Sequence, residues 1–182
     1  MTDNKEKITP ELIFLSAENL LPTREILEAR WWPVISSVEM KLTQHGSVRQ
    51  IKDELMLLMY FALELSLVSS FRPEVWAIFD TRPKEGFYGQ LLFHGKKHLS
   101  EILGKYPKRQ EQYEIAWESH SDPTVPHGYS VAKQFLLNCE FKVDADQVSL
   151  LAVTNLFTLY INSLVEHFKS VNAKYEIVAS LT

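Results

Sequence analysis

The 182-residue sequence contains a single cysteine, Cys139, and only 6 glycines. One thiol excludes an internal disulfide, an iron–sulfur cluster and a cysteine-rich zinc site. Because Cys139 ends the apolar stretch 135–139, we expect a buried, unreactive thiol. The single cysteine favours a reducing compartment, and a periplasmic protein without disulfides is the alternative. The chain also lacks a Gly-rich phosphate loop, a G-x-S-x-G elbow and an EF-hand loop, so the sequence signatures of these common sites are excluded.

Basic charge is scarce as well, and the formal net charge is −4. The two densest basic stretches, residues 96–97 and 105–109, have acidic residues around them. Duplex nucleic-acid binders usually carry a basic face, because neutralisation of phosphates supplies most of their affinity. Nucleic acid is therefore disfavoured as a tightly held partner, whereas an acidic surface favours a basic protein partner.

The first 15 residues lack the basic start and the apolar core of a secretory signal, which predicts a cytoplasmic protein. One uncharged stretch, from Gln147 to Val165, approaches the roughly 20 apolar residues that a membrane span needs. Its flanks lack aromatic belts, and polar residues interrupt it, so we expect a central helix of a soluble bundle and no membrane span. The interrupting residues are Ser149, Thr154, Asn155, Thr158, Asn162 and Ser163.

Helix start signals recur along the chain. Thr9 precedes Pro10, which is the order of an N-cap residue and a proline in the first turn. Ser47 and Gln50 fit a capping box ahead of the apolar run 55–63. Because Leu, Met and Ala in that run favour helix over strand, the pattern predicts a central helix from about Val48 to Ser69.

Prolines and a glycine predict interruptions. Pro33 lacks the N–H that a helical ladder needs, so it should kink or break its helix. Gly104, with Pro107 shortly beyond, is typical of a helix end. The sequence therefore predicts one helix over residues 87–103 and a separate amphipathic helix over 108–118.

Helices joined by short loops, with no alternating strand pattern, predict an all-α fold. We expect one domain over residues 1–182, an irregular bundle of about six to eight helices with residues 1–8 as a flexible tail. The long apolar helix near the C-terminus should be central. The tail 175–179 fits either a short strand or a fraying helix end. A chain of this length buries roughly 70% of its unfolded surface without cross-links.

His94, His98 and Glu101 carry metal-ligand chemistry at helical spacing. Residues three and four apart share a helix face, so both imidazoles and the carboxylate could bind one cation. Zincins place a glutamate directly after the first histidine, where this chain has Gly95, and two lysines follow. A metal-assisted hydrolase and a solvated polar face are both open.

The irregular stretch 119–128 supplies a second group, which Glu118, His120, Asp122 and His127 form. Imidazole titrates near neutral pH, and with a carboxylate it can serve as a general acid or base. The alternative is an exposed polar loop without catalysis.

Asn162 and His167 are separated by four residues. This spacing is similar to the Arg-x(4–6)-His motif of HEPN ribonucleases, small helical domains that act as dimers. In that family the arginine and the histidine promote attack of the 2′-hydroxyl on the phosphate. The resemblance covers one helix and implies a divergent ribonuclease that uses His167. Neither Ile161 nor Asn162 is arginine, so the transition-state charge lacks its cation.

A polar stripe on the same helix comprises Asn155, Thr158, Asn162 and Glu166. Its spacing of three or four residues indicates one face, which is either a structural or solvent-facing surface or the pocket of a helical small-molecule sensor.

Glu64 lies inside the apolar helix, with Tyr60 one turn earlier. A buried carboxylate needs a partner, for which Arg49 and Arg72 are the nearest basic residues in the sequence.

Trp31 and Trp32 are adjacent, and successive helical residues point about 100° apart. One indole should therefore pack inside while the other is partly exposed, as interface anchors often are. In the absence of a catalytic motif, the sequence predicts a non-enzymatic protein-binding domain, such as a bacterial immunity protein, an antitoxin or a regulatory adaptor. No cofactor is expected, and a homodimer is left open.

Overall fold

A computed structural model describes residues 5–17, 19–22, 24–37, 47–75, 98–141 and 147–178. These residues form seven α-helices, one π-helical turn and two short strands, so the predicted all-α bundle with a long apolar helix near its C-terminus is confirmed. In chain order they are strand β1 (Glu6–Ile8), α1 (Pro10–Ser16), α2 (Arg24–Ile26), the π turn (Leu27–Trp31), α3 (Trp32–Ser37), α4 (Val48–Ser70), α5 (His98–Glu118), α6 (Gly128–Asn138), α7 (Gln147–Lys174) and β2 (Tyr175–Ile177).

Helix α4 is the centre of the fold. Its start follows the sequence prediction, because the Ser47 hydroxyl accepts a hydrogen bond from the Gln50 N–H at 3.1 Å. Every residue from 54 to 64 is buried, as expected of a helix that is apolar all round. Helices α5 and α7 pack against α4, and α6 packs against both α5 and α7. Phe61 of α4 stacks on Phe157 of α7 with 6.2 Å between the ring centroids.

A two-stranded parallel sheet joins the two ends of the described chain. Strand β1 pairs with β2 in a register that places Glu6 opposite Tyr175 and Ile8 opposite Ile177. The expectation of a flexible tail is therefore wrong for residues 6–8. Ile8 and Ile177 are both buried, and the backbone N–H and C=O groups of the two strands form hydrogen bonds with each other.

Pro33 distorts its helix without ending it. In the turn just before it, the Trp32 N–H bonds to the carbonyl of Leu27, five residues back, which defines a π-helical turn. A proline ring normally clashes with the carbonyl four residues earlier, and the wider turn relieves that crowding. The predicted kink takes this form, and α3 continues to Ser37.

The predicted helix end at Gly104 is wrong. Helix α5 runs from His98 to Glu118 through both Gly104 and Pro107. Pro107 gives up one backbone hydrogen bond, but side-chain bonds to α4 flank it. The Tyr106 hydroxyl donates to Glu64 Oε2 at 2.6 Å, and the Arg109 guanidinium bonds Glu54. Tertiary contacts thus override the local stop signal.

Two carboxylates inside the bundle receive these bonds. Arg109 approaches Glu54 in a bidentate manner, with Nε to Oε2 at 2.9 Å and Nη2 to Oε1 at 2.7 Å. The Glu54 side chain is only 5% exposed. Tyr106 is a partner of Glu64 that the sequence did not single out. Paired in this way, the carboxylates are compatible with burial.

Alanine substitutions at Gly104 of α5 and at Gly128 of α6 test the helical placement of both residues. A Cβ at Gly104 meets nothing within 4 Å, and no described glycine has a positive φ. Gly104→Ala should therefore raise the free energy of unfolding by about 0.4–1 kcal/mol in urea titrations. A Cβ at Gly128 would lie 2.9 Å from Phe157 Cδ1, so Gly128→Ala should lower that free energy by about 1–3 kcal/mol. Destabilisation by Gly104→Ala would mean that α5 ends at residue 104.

Removal of Arg109 tests the buried ion pair. Arg109→Met leaves the Glu54 carboxylate buried without its cation, so the free energy of unfolding should fall by about 3 kcal/mol or more. The double variant Glu54→Leu/Arg109→Met removes both charges and should recover most of this loss in the same urea titration. If the single variant is as stable as the original chain, the carboxylate is not dependent on Arg109.

Candidate functional site

The candidate metal ligands fall largely outside the described side chains. His94 lies outside the described residues, and only the backbone of His98 and Glu101 is described, in the first turn of α5. Among the side chains that the structure describes, no group of three His, Cys, Asp or Glu residues could hold a metal ion. The metal site of the sequence analysis stays a prediction.

The two loop histidines do meet. The His127 ring stacks on Trp117 with centroids 3.9 Å apart, and the His120 ring stacks on His127 at 4.7 Å. His127 Nε2 lies 2.8 Å from the Trp117 carbonyl, which can only accept, so this nitrogen carries a proton. His120 Nδ1 lies 3.0 Å from the Ser130 hydroxyl. The three rings tie the loop to the end of α5 and the start of α6.

This stack is poorly suited to metal binding or acid–base chemistry. The two imidazole planes are inclined by only 28°, so their in-plane lone pairs do not converge on one point. The nearby Asp122 carboxylate accepts bonds from the Thr124 hydroxyl at 2.6 Å and the Thr124 N–H at 2.9 Å. These bonds lower the pKa of Asp122 and hold it in a turn. Glu118 is exposed.

His167 is a hydrogen-bond donor to Ser16. Its Nε2 lies 3.0 Å from the Ser16 hydroxyl, and that hydroxyl donates its only proton to the Ile13 carbonyl at 2.6 Å. Ser16 therefore accepts from His167, and the imidazole is not placed to act as a base toward it. Asn162 is exposed, and the step of five positions from Asn162 to His167 turns the helix by about 140°. The pair suggested by the ribonuclease resemblance does not share a face.

As predicted, one of the two adjacent tryptophans packs inside the bundle and the other is partly exposed. Trp31 is 3% exposed and meets Tyr160 edge to face at 5.2 Å, so it is not available as the surface anchor that the sequence suggested. Trp32 is half-buried, and Lys52 Nζ lies 4.3 Å above its ring. Lys52 also pairs with Glu28 at 2.8 Å. Trp32 remains partly accessible beneath this ion pair.

Cys139 is fully buried, as predicted, near Glu54 of α4 and Arg109 of α5. The Tyr113 hydroxyl and the Asn138 amide nitrogen face each other there without a well-formed hydrogen bond. Burial raises the pKa of the Cys139 thiol and of the Tyr113 hydroxyl. Both groups are therefore neutral and unreactive at physiological pH.

The polar stripe on α7 belongs to an exposed surface. Asn155, Asn162 and Glu166 are exposed and Thr158 is half-buried, which fits a solvent-facing helix rather than a sensor pocket. Within the described residues, α7 alone is long and apolar enough to cross a membrane by length and composition, and 39% of its most apolar window is buried. The core helix of a soluble protein meets the same criteria.

One exposed surface was missed by the sequence reasoning. On the outer side of α5, the apolar Ile115 is 59% exposed, and Glu111, Glu114 and Glu118 are exposed around it. These four residues, here called the α5 face, lie within about 100° of one another around the helix. Their spacing of three and four residues indicates one helix face, but the sequence analysis predicted only an amphipathic helix over 108–118 and did not single out Ile115.

Comparison of this chain with protein-family models, curated proteins and solved structures finds no match in any of the three. Its function is therefore inferred from the chemistry of its own residues.

The titration of His167 offers a test of its placement. Partial burial lowers the pKa of His167 below its ordinary value of 6.5. The unfolded chain then takes up this proton at a higher pH than the folded chain, so stability falls as the pH drops through about 6.5. His167→Gln should lose less stability than the original chain between pH 7.5 and pH 5.5 in urea titrations. An NMR titration of the His167 ring with a midpoint at or above 6.5 would contradict the burial.

Proposed function

We propose that the chain is a non-enzymatic protein-binding domain, of the kind that serves as a bacterial immunity protein, an antitoxin or a regulatory adaptor. The α5 face carries this proposal, because an apolar side chain, Ile115, stands exposed within a ring of glutamates. A buried apolar centre with a charged rim is the usual anatomy of a protein interface.

The charge of the α5 face indicates the kind of partner. Glu111, Glu114 and Glu118 bring three carboxylates to one side of the helix, and Asp122 is exposed in the loop that follows. Lys108 lies one turn before Glu111, but between Arg109 and Lys133 the sequence has no lysine or arginine. A partner with a basic surface gains from this field, both in its rate of association and in its orientation.

The histidines support a binding role over catalysis. His120, His127 and His167 each have a ring nitrogen engaged by a neighbouring serine or backbone carbonyl. In the described part of the chain, none of them is hydrogen-bonded to a carboxylate that would orient it as a catalytic base. Their contacts instead hold the loop and α1 in place.

Affinity purification from the native host tests this proposal. The tagged chain should retain a basic protein in stoichiometric amount, and raised salt should weaken the complex because the rim contacts are exposed charges. Ile115→Asp, and separately Glu114→Lys/Glu118→Lys, should abolish retention. Glu25→Lys is a matched control, since Glu25 is exposed on α2, outside the α5 face.

Two results would overturn the proposal. One is retention of the partner by both α5-face variants at the level of the Glu25→Lys control. The other is purification of the chain with a bound transition metal and no protein partner, which would return attention to His94, His98 and Glu101 as ligands. Circular dichroism on each variant checks that helix content is unchanged.

A further inference from the structure

A second exposed surface, on α7, has a different chemistry from the α5 face. Val148, Leu151 and Leu159 are 59%, 51% and 65% exposed, and Asn155 and Asn162 are exposed on the same side. These five residues are called the α7 face. From Gln147 to Val165 the sequence carries no charge. Helix α7 turns its other side, with Phe157 and Phe168, into the core.

The α7 face is symmetric about Asn155. Leu151 lies four residues before it and Leu159 four residues after it, which is about 6 Å along the helix in each direction. When two copies of α7 cross antiparallel at Asn155, Leu151 of each copy faces Leu159 of the other. The two Asn155 amides then meet at the axis, where each offers both a donor and an acceptor. A two-fold interface requires such self-complementarity.

Charge favours a second copy over a foreign partner on this surface. Two chains of net charge −4 repel each other where their acidic faces approach, and this repulsion is least across a face without charge. A basic partner, in contrast, gains no electrostatic attraction from the α7 face. Antiparallel helices also place opposite ends of their dipoles side by side.

The length of α7 allows a long contact. A helix of 28 residues is about 42 Å long, so the contact can extend well beyond the central leucines. Interface cores depleted in charge and rich in apolar side chains are typical of homodimers.

The α7 face is better suited to contact with protein than to contact with lipid. Asn155 and Asn162 would bring their exposed side-chain amides into hydrocarbon, where no polar group is available to pair with them. Across a two-fold axis, the Asn155 amides instead satisfy each other.

We propose that the chain forms a homodimer in which two α7 faces pack antiparallel across a two-fold axis at Asn155. This inference rests on residues of α7 and is independent of the α5 face.

Sedimentation velocity of the purified full-length chain over a concentration series is the test. We expect a species of twice the chain mass of 21.1 kDa. Leu159→Glu and Asn155→Asp each place two like charges at or near the axis, so each should raise the dimer dissociation constant by roughly tenfold or more. Val68→Glu alters an exposed apolar residue at the end of α4 and should leave the dimer intact.

Disulfide trapping tests the position of the axis. Under mild oxidation Asn155→Cys should cross-link two copies, because residue 155 meets itself, whereas Glu25→Cys should not. The native Cys139 is buried and does not contribute.

A 21.1 kDa species at every concentration overturns the inference, as does a dimer that both Leu159→Glu and Asn155→Asp leave intact. Co-flotation of the chain with phosphatidylcholine–phosphatidylglycerol vesicles, lost in Leu159→Glu, would assign the α7 face to lipid and also overturn it. Loss of the dimer in the α7 variants, with partner binding retained, separates this inference from the proposed function.

Discussion

An apolar helix without a polar side is stable in water only when other helices surround it, and α4 imposes this requirement on the rest of the chain. Every residue of α4 from 54 to 64 is buried, with at most 8% of its surface exposed. Helix α7 covers α4 along one side, and α5 and α6 cover it along others. The hydrophobic area removed from water in this way is the main term that stabilises the fold.

The burial of α4 also determines where α5 packs. Glu54 and Glu64 are buried with α4, and a buried carboxylate is costly unless hydrogen-bonded. Arg109 and Tyr106 supply those bonds from one side of α5, which fixes how the two helices cross. The opposite side of α5 must then face solvent, and it is there that Ile115 and the glutamates of the α5 face lie. The surface proposed to bind a partner is therefore held in place by the core.

The sequence correctly predicted those structural features that depend only on residues close to one another in the chain. The start of α4 after Ser47 needs only its hydroxyl and the backbone N–H of Gln50, and its end was predicted to within one residue. The spacing of Trp31 and Trp32 predicted that one indole packs inside, but not which one. Cys139 was correctly expected to be buried, because its apolar neighbours lie within the same helix turn.

Features that depend on distant residues were not predictable. For residues 175–179 the sequence left a short strand and a helix end open, and β2 is that strand, but β1 is too short to show a period and its pairing with β2 was not predicted. Gly104 and Pro107 carried a genuine stop signal, which the bonds of Tyr106 and Arg109 to α4 override. The stacking of His120 on His127 depends on the path of the loop between them. The exposure of Leu151 and Leu159 was not predicted, because leucines in an uncharged run are typical of a core helix.

The two proposed contacts depend on different forces, so each surface favours its own kind of partner. In the proposed complex, the carboxylates of the α5 face have a field that reaches about 8 Å at physiological ionic strength, which would steer a basic partner before contact. The α7 face has no charge, so it discriminates only at short range, by the fit of Leu151 against Leu159 and of one Asn155 against another. Its asparagines keep the isolated helix hydrated and penalise any arrangement that leaves their amides buried and unpaired. Because two α5 faces repel each other and the α7 face has no charge to attract a basic protein, each surface disfavours the other's partner.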